Sequence, residues 1–136
     1  MSRDEMLAKI DALYAGRASG DVSAFEEILT PDSEFRFAGD TTIVAAFPGG
    51  TTRDPTEVAQ DLFAKIDMLD REQVSSVVEG NRVSVLTKAT LRVPGREPFE
   101  HLMFDLWEFT DDGRIKNGMQ FQDTAKIIAE LKAGEG

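Results

Sequence analysis

Asp105 stands in the middle of residues 99–109, FEHLMFDLWEF, which alternate in the manner of a β-strand. One face of such a strand carries this acid between Met103 and Trp107. Burial disfavours the charged form of a carboxyl group, so we expect the pKa of Asp105 to be raised. Two interpretations follow. Either a protonated Asp105 donates a hydrogen bond to a ligand, or Asp105 is an ionised structural residue whose nearest candidate partner is Lys88.

His101 is the only histidine of the chain and shares the strand face of Asp105. It is a candidate catalytic residue, because histidine exchanges protons near neutral pH. Four residues along a strand span about 13 Å, so His101 and Asp105 cannot form a direct dyad. The alternative is that His101 and Lys88 form a cross-strand polar pair at the rim of a pocket.

The register of the preceding strand decides which side chains share the face of Asp105. A two-residue turn at Pro94-Gly95 would place Ser84 beside Asp105. Leu86 and Lys88 would then line a ligand pocket together with the acid. The opposite, convex face would be apolar, and since too few helices remain to cover it, we predict that it forms a homodimer interface. That face would consist of Val83, Val85, Leu91, Leu102, Phe104 and Leu106.

The elements that position these residues follow from the period of the apolar side chains. Helical spacing predicts helices over residues 3–17, between Asp21 and Pro31, and over residues 54–69. A period of two predicts a strand over residues 33–39 and a meander of four antiparallel strands after residue 70. The order predicts one α+β domain over residues 1–136, a cone in which a curved antiparallel sheet wraps around three helices.

Residues 39–53 form a long predicted loop, rich in Gly and Thr, with an apolar centre from Ile43 to Phe47. A loop of this length with an apolar centre is typical of a segment folded over a binding site. We therefore predict that it forms one wall of the pocket mouth. Phe47 in this loop and Phe63 in the predicted third helix are candidate ligand contacts.

Composition excludes several classes of partner. The formal net charge of -10 argues against nucleic acid and against an anionic membrane surface. The chain shows neither a secretory signal nor a stretch approaching the ~18 apolar residues of a membrane span. We therefore expect a cytoplasmic protein. With no cysteine, one histidine and no Gly-rich phosphate loop, we expect neither a metal site nor a cofactor.

Several segments together resemble the SnoaL-like and ketosteroid-isomerase-like branch of the nuclear transport factor 2-like superfamily. They are SGDVSAFEEILTPDSEFRF, FPGGTTRDPTEVAQDLF, LWEFTDDGRI and FQDTAKI, in this order and spacing. The resemblance implies a cone-shaped α+β fold with a hydrophobic pocket on the concave side of the sheet. It also implies that the chain forms dimers, as many members do.

The resemblance also implies roles for particular positions. In ketosteroid isomerase a carboxylate base works beside an oxyanion hole formed by a Tyr and a protonated Asp. Counting back from DDGRI, Asp105 matches the protonated Asp. The position of the base falls on Phe37, which cannot take a proton, and the position of the Tyr falls on Leu13, one residue before Tyr14.

These observations predict a protein that binds a small apolar molecule in a hydrophobic pocket. It would act as an isomerase, cyclase or lyase on a polyketide- or steroid-like carbonyl compound, with Asp105 as acid or oxyanion donor and with His101 and Tyr14 as further candidates. A non-catalytic binding protein and a dimerisation module remain as alternatives. The predicted ligand contacts are Phe37, Phe47, Phe63, Leu86, Lys88, Met103, Trp107, Gln120 and Gln122.

Overall fold

Three helices and five strands make up the part of the chain that the computed structural model describes, residues 1–39 and 64–135. The helices are α1 (Arg3–Ser19), α2 (Ser23–Ile28) and α3 (Thr124–Glu135). The strands are β1 (Leu29–Phe37), β2 (Asp67–Glu79), β3 (Arg82–Arg92), β4 (Phe99–Phe109) and β5 (Ile115–Gln122). The α+β class predicted from the sequence is confirmed.

Helix α1 begins and ends at residues that stabilise helix termini. The Ser2 hydroxyl accepts a hydrogen bond from the Glu5 amide, and the Glu5 carboxylate accepts one from the Ser2 amide. This capping box satisfies two otherwise unpaired N–H groups. Gly20 follows the helix with φ 77°, a left-handed conformation that glycine adopts without steric cost. The buried stripe of α1 consists of Met6, Ile10, Leu13 and Tyr14.

The strands form one sheet in the order β1-β5-β4-β3-β2. β2 to β5 are the predicted antiparallel meander, whereas β1 joins the far edge of the sheet parallel to β5. The apolar stripe of α1 packs in one core cluster with Trp107 and Phe109 of β4. Because β4 is the central strand and its inward side chains are buried, it is a rigid platform for a site.

The predicted register between β3 and β4 is wrong by one residue. Val85, not Ser84, pairs with Asp105, and Ala89, not Lys88, pairs with His101. The turn at Pro94-Gly95 does form, with the Arg96 amide donating to the Val93 carbonyl at 2.9 Å. However, β4 begins only at Phe99, so the connection is longer than a two-residue hairpin turn and shifts the pairing.

This shift exchanges the two faces of β3. Leu86 and Lys88 lie on the outer face, and Lys88 forms an ion pair with Glu100 at 3.3 Å. Val83, Val85 and Leu91, predicted for the outer face, are instead buried inside the sheet. The outer residues of β4 were assigned correctly: Leu102, Phe104 and Leu106 are 57%, 44% and 38% exposed.

Two other boundaries differ from the prediction. α2 ends at Ile28, and Pro31 lies within the edge strand β1, a position that tolerates a residue without an N–H group. β2 already begins at Asp67, so the predicted third helix cannot continue to Leu69, which is 45% exposed on this strand. Most of that helix, including Phe63, lies outside the described residues. The same holds for most of the predicted pocket-mouth loop, including Phe47.

Gly118 of β5 allows the close approach of the Trp107 ring. A Cβ atom at this glycine would stand 2.7 Å from Trp107 Cε3 and 3.0 Å from Phe35 Cδ2. We expect Gly118→Ala to lower the free energy of unfolding by about 1–3 kcal/mol, because a packed core resists added volume. Urea denaturation followed by the fluorescence of the single tryptophan measures this loss. Asn117→Ala, at an exposed neighbour on the same strand, is the control, and an equal loss in both variants would contradict the packing argument.

Candidate functional site

The Asp105 carboxyl group is held inside the sheet by two residues from different elements. Asp105 is 0% exposed, and its Oδ2 accepts a short hydrogen bond from the hydroxyl of Tyr14 on α1. The Tyr14 oxygen in turn accepts a hydrogen bond from Trp107 Nε1 at 3.1 Å. Because Trp107 can only donate, it directs the Tyr14 proton towards Asp105. The hydroxyl of Tyr14, a candidate catalytic residue from the sequence, therefore points towards the inner face of the sheet.

Burial sets the protonation of this pair. It raises the pKa of Asp105 to about 7, although the hydrogen bond from Tyr14 and the proximity of the Gln120 amide lower this pKa. Burial, the charge of Asp105 and the hydrogen bond to Asp105 raise the pKa of Tyr14 well above its usual value. Tyr14 therefore keeps its proton at neutral pH, whereas Asp105 gains or loses one near pH 7.

The alternative of an ionised Asp105 paired with Lys88 is wrong. Lys88 lies on the outer face of the sheet, where it pairs with Glu100. Within residues 1–39 and 64–135, no cationic side chain forms an ion pair with Asp105. In addition, Asp105 Oδ1 is buried without a hydrogen-bond partner in that part of the chain. A carboxylate in such surroundings gains stability from a proton.

A cavity of about 40 Å³ lies between the helices and the inner face of the sheet. Asp105 is not among the described residues that line it, so this acid lies behind Tyr14, which does line it. The wall is mainly apolar with a few polar groups, as is usual for sites that take small molecules. The described lining residues are Tyr14, Arg17, Phe25, Leu29, Phe35, Ile66, Met68, Leu91, Met103, Trp107, Gln120, Gln122 and Ile127.

A row of side-chain hydrogen bonds connects this cavity with His101. His101 Nε2 lies 2.9 Å from Gln122 Oε1, and Gln122 Nε2 donates to Gln120 Oε1 at 3.3 Å. Gln120 Nε2 points towards Met103 Sδ at 3.5 Å. Burial lowers the pKa of His101. The structure thus gives the histidine a contact with the glutamines, not with Asp105 or Lys88.

The site residues predicted from the sequence and the residues that line the cavity overlap in part. Tyr14, Met103, Trp107, Gln120 and Gln122 line the cavity, whereas Leu86 and Lys88 are on the other face of the sheet. The described lining residues do not include Phe37 or His101.

The sequence analysis missed eight of the described lining residues, among them Phe35 and Arg17. Phe35 stacks on Trp107 with ring centroids 5.6 Å apart, and Phe37 packs edge-on against Phe35 at 5.1 Å. Alternation along β1 already put these two phenylalanines on one face. Arg17, three residues after Tyr14, was also detectable, because residues at that spacing share a helix face.

No group of three or more potential metal ligands occurs within the described ranges. None of the helices there has the length and apolar character needed to cross a membrane.

The described polar groups around the cavity are a hydroxyl, a buried acid, two amides and a guanidinium. They suit hydrogen bonding and proton donation to an organic ligand.

Comparison with known proteins identifies the family of the chain. Residues 10–117 match the model of the SnoaL-like domain. The chain belongs to the SnoaL-like domain family. The fold is accordingly the α+β fold of nuclear transport factor 2-like proteins, as the sequence resemblance implied. None of the curated proteins matches the chain at a significant level.

Solved structures of other SnoaL-like and related proteins superpose on nearly the whole chain. A candidate isomerase from Rhodopseudomonas palustris has a TM-score of 0.77 at 15% identity, covering 98% of this chain and 99% of its own. A candidate SnoaL-like polyketide cyclase from Jannaschia sp. CCS1 has 0.72 at 16%, covering 98% and 96%. An M. tuberculosis protein described as an LEH-like epoxide hydrolase has 0.71 at 15%, covering 96% and 92%. At these identities the likeness establishes the fold alone.

The raised pKa of Asp105 predicts how its replacement changes stability with pH. Below the unfolded-state pKa of about 3.9 the folded and unfolded chains both hold the proton, so Asp105 does not make the free energy of unfolding depend on pH there. As pH rises towards 7 the unfolded chain releases the proton and the folded chain retains it, so the wild type loses stability. Relative to Asp105→Asn, we expect this loss to reach about 4 kcal/mol above pH 7, which chemical denaturation from pH 4 to 8.5 measures.

Asp111→Asn removes an acid from the exposed turn before β5 and is the matched control. Its stability should follow that of the wild type across the same pH range. A wild type that gains stability over Asp105→Asn as pH rises would mean that Asp105 is a stabilised carboxylate. That result would refute the interpretation of a buried neutral acid.

Proposed function

We propose that this SnoaL-like protein binds a small, largely apolar carbonyl compound and stabilises negative charge on its oxygen. Tyr14 is the donor that meets the ligand, and neutral Asp105 stands behind it. In the liganded state the proton of Asp105 turns towards the Tyr14 oxygen, and the Tyr14 proton turns towards the ligand. Trp107 donates to the same tyrosine oxygen throughout.

The buried pair of Tyr14 and Asp105 is the observation that carries this proposal. A hydroxyl that accepts hydrogen bonds from two donors is itself a better donor, because hydrogen bonds in a row polarise one another. In a site without water such a donor stabilises developing negative charge more strongly than it would in solution. Ionised Asp105 would instead hold the Tyr14 proton for itself. The proposed activity therefore requires the protonated acid.

The names of the structural relatives are consistent with this chemistry. Enolisation in an isomerase, ring closure of a polyketide and opening of an epoxide all place negative charge on an oxygen atom. One hydrogen-bond donor at a fixed position can serve each of these reactions. We therefore propose an isomerase, cyclase or lyase that acts on a polyketide- or steroid-like carbonyl compound.

A non-catalytic binding protein is the second candidate, and the chemistry of the described cavity wall favours it. The cavity of about 40 Å³, far below the ~300–1,000 Å³ typical of pockets for drug-sized ligands, restricts the size of the ligand for both candidates alike. The described lining residues include no carboxylate or imidazole that could remove a proton from carbon. Phe37, at the family's base position, is packed against Phe35. The two candidates differ in whether binding leads to turnover.

The carbonyl carbon of a bound ketone reports the proposed hydrogen bond directly. We expect ¹³C-carbonyl-labelled cyclopentanone to shift downfield on binding at pH 6, since a strong donor polarises its carbonyl group. At pH 8.5 the shift should shrink, because Asp105, with a pKa of about 7, has then ionised. Tyr14→Phe should abolish the shift at both pH values, as measured by NMR titration.

His101→Gln separates the pH effect of Asp105 from that of the one histidine. This variant should keep the pH dependence, whereas Asp105→Asn should remove it. Ketone binding with an unchanged carbonyl shift in Tyr14→Phe would refute the proposed donor. Binding through Tyr14 without turnover of any carbonyl substrate would support the second candidate.

We also propose that the outer face of the sheet forms a homodimer. Leu102, Phe104 and Leu106 of β4 form an exposed apolar row, and Phe121 of β5 extends it, with the ring centroids of Phe104 and Phe121 6.5 Å apart. Large exposed apolar patches of this kind commonly mark interfaces. The residues that the wrong register had assigned to this face are buried, so the interface would be narrower than the sequence suggested.

Sedimentation tests this dimer. We expect the wild type to sediment at about 30 kDa, twice its chain mass of 15.0 kDa. Phe104→Glu should sediment as a monomer, because a charge within an apolar interface is not easily satisfied. Ala12→Glu, at an exposed position of α1 on the other side of the sheet, is the control and should leave the mass unchanged. A wild-type monomer at micromolar concentration would refute the proposed interface.

A further inference from the structure

Two glutamine side chains of β5 connect His101 with the surroundings of Asp105. Gln120 is the cross-strand partner of Asp105 and is only 7% exposed. Gln122 is the cross-strand partner of Met103, and both glutamines line the cavity. His101 lies two residues before Met103 on β4 and is 4% exposed. This histidine has no part in the function proposed above.

The hydrogen bonds along these side chains run in one direction. Gln122 Oε1 lies 2.9 Å from His101 Nε2, and Gln122 Nε2 donates to Gln120 Oε1 at 3.3 Å. An amide oxygen can only accept, so the first of these bonds requires a proton on His101 Nε2. Gln120, whose oxygen is occupied, directs its Nε2 towards Met103 Sδ at 3.5 Å. The row therefore begins with an imidazole N–H group and ends with an amide N–H group.

The imidazole of His101 supplies this donor in both of its protonation states. Neutral imidazole carries one proton, and the hydrogen-bond partner selects the nitrogen that holds it. Burial lowers the pKa of His101, and the charge of Lys126 lowers it further, whereas Gln122 and Asp123 raise it. His101 is therefore neutral near pH 7, where Asp105 titrates. Protonation at lower pH adds a proton to Nδ1 and leaves the Nε2–H group in place.

The direction of the Gln120 amide matters to Asp105. An N–H group beside a carboxyl group favours its ionised form, whereas an amide oxygen favours the protonated form. The proximity of the Gln120 amide accordingly lowers the pKa of Asp105, against the larger effect of burial. Residues directly opposite each other on antiparallel strands have Cβ atoms roughly 4.5–5.5 Å apart. Inversion of this amide would thus replace a donor by an oxygen beside the acid.

We propose that His101 is a positioning residue, whose Nε2–H group fixes the direction of both glutamine amides and so keeps the N–H end of Gln120 towards Asp105. Without this donor both amides can turn over, because the thioether of Met103 is only a weak acceptor. This role goes beyond the proposed function and needs no ligand. It therefore stands or falls independently of the hydrogen bond proposed between Tyr14 and a ketone.

The ring nitrogens of His101 report the donor directly, and their signals need no assignment because the chain contains one histidine. We expect ¹⁵N NMR of the wild type at pH 7.5 to show a protonated Nε2 and an unprotonated Nδ1. The opposite tautomer would overturn the inference, since Gln122 Oε1 could not then accept a hydrogen bond from the imidazole. This measurement depends on the folding of no variant.

The titration of Asp105, followed by ¹³C NMR of its carboxyl group, reports the consequence. In His101→Met we expect the midpoint to rise by about 0.5–1 pH unit, because the acid loses a neighbouring donor. His101→Gln supplies an amide N–H near the position of Nε2, so its midpoint should lie closer to that of the wild type. Phe99→Leu is the matched control. Phe99 packs edge-on against His101 at 5.8 Å but is no part of the row, so the midpoint should not move.

A second break in the same row separates positioning from a general loss of packing. Gln122→Met removes the amide between His101 and Gln120, so it should raise the midpoint as His101→Met does. The double variant should shift it no further than the larger single shift, because both changes break one row. Additive shifts, an unchanged midpoint in His101→Met, or equal shifts in His101→Met and His101→Gln would each overturn the inference. A ketone that does not contact Tyr14 would refute the function proposed above and leave these titrations unchanged.

Discussion

A carboxyl group inside an apolar core must find a hydrogen bond there, and the arrangement of this protein follows from that constraint. A buried polar group without a partner costs about 1–3 kcal/mol, more than the net gain from a typical hydrogen bond. Asp105 receives its partner from Tyr14, which belongs to a different element. The orientation of α1 against the sheet is thereby tied to one oxygen atom on β4. Trp107 fixes the tyrosine in turn, and Gly118 gives the indole ring its space.

The same constraint makes the protonation of the site depend on pH near neutrality. Desolvation and hydrogen bonding act in opposite directions on Asp105, and their balance leaves its pKa at about 7. Tyr14 cannot take over the charge, because burial and the neighbouring acid raise its own pKa. A small change in the surroundings, such as a bound anion or a lost hydrogen bond, therefore changes the protonation of Asp105 at neutral pH. Acids with strongly shifted pKa values occur preferentially at functional sites.

Much of this site could be predicted from the sequence because the period of two along β4 is strict. It placed Met103, Asp105 and Trp107 on one face, and burial of that face followed from their neighbours. The pairing partner of β4 could not be predicted in the same way. Register depends on the length of the connection, and one extra residue exchanges the faces of a strand. Leu86 and Lys88 were misplaced for this reason alone.

Other features depend on tertiary contacts that a single sequence does not contain. The position of Tyr14 follows from how α1 lies across the sheet, and counting residues gave Leu13 instead. Arg17 is similar, because its burial depends on the start of β2 passing close to the helix, where the Ile66 carbonyl accepts its hydrogen bond. The parallel pairing of β1 with β5 also joins segments far apart in the chain, and no local pattern indicates it.

Phe37 occupies the position of the family's base and cannot accept a proton, which restricts the reactions that the proposed site can catalyse. The described lining residues supply a donor but no base, and such a set can accelerate only reactions in which the substrate loses its proton readily or contains its own nucleophile. Carbon acids next to a carbonyl meet the first condition, and chains that close on themselves meet the second. In both cases negative charge develops on the oxygen that Tyr14 would bind. A neutral Asp105 would help to stabilise that charge through its hydrogen bond to the tyrosine. The protonated acid on β4 and the phenylalanine on β1 are therefore mutually consistent: both suit a substrate whose negative charge develops at the carbonyl oxygen.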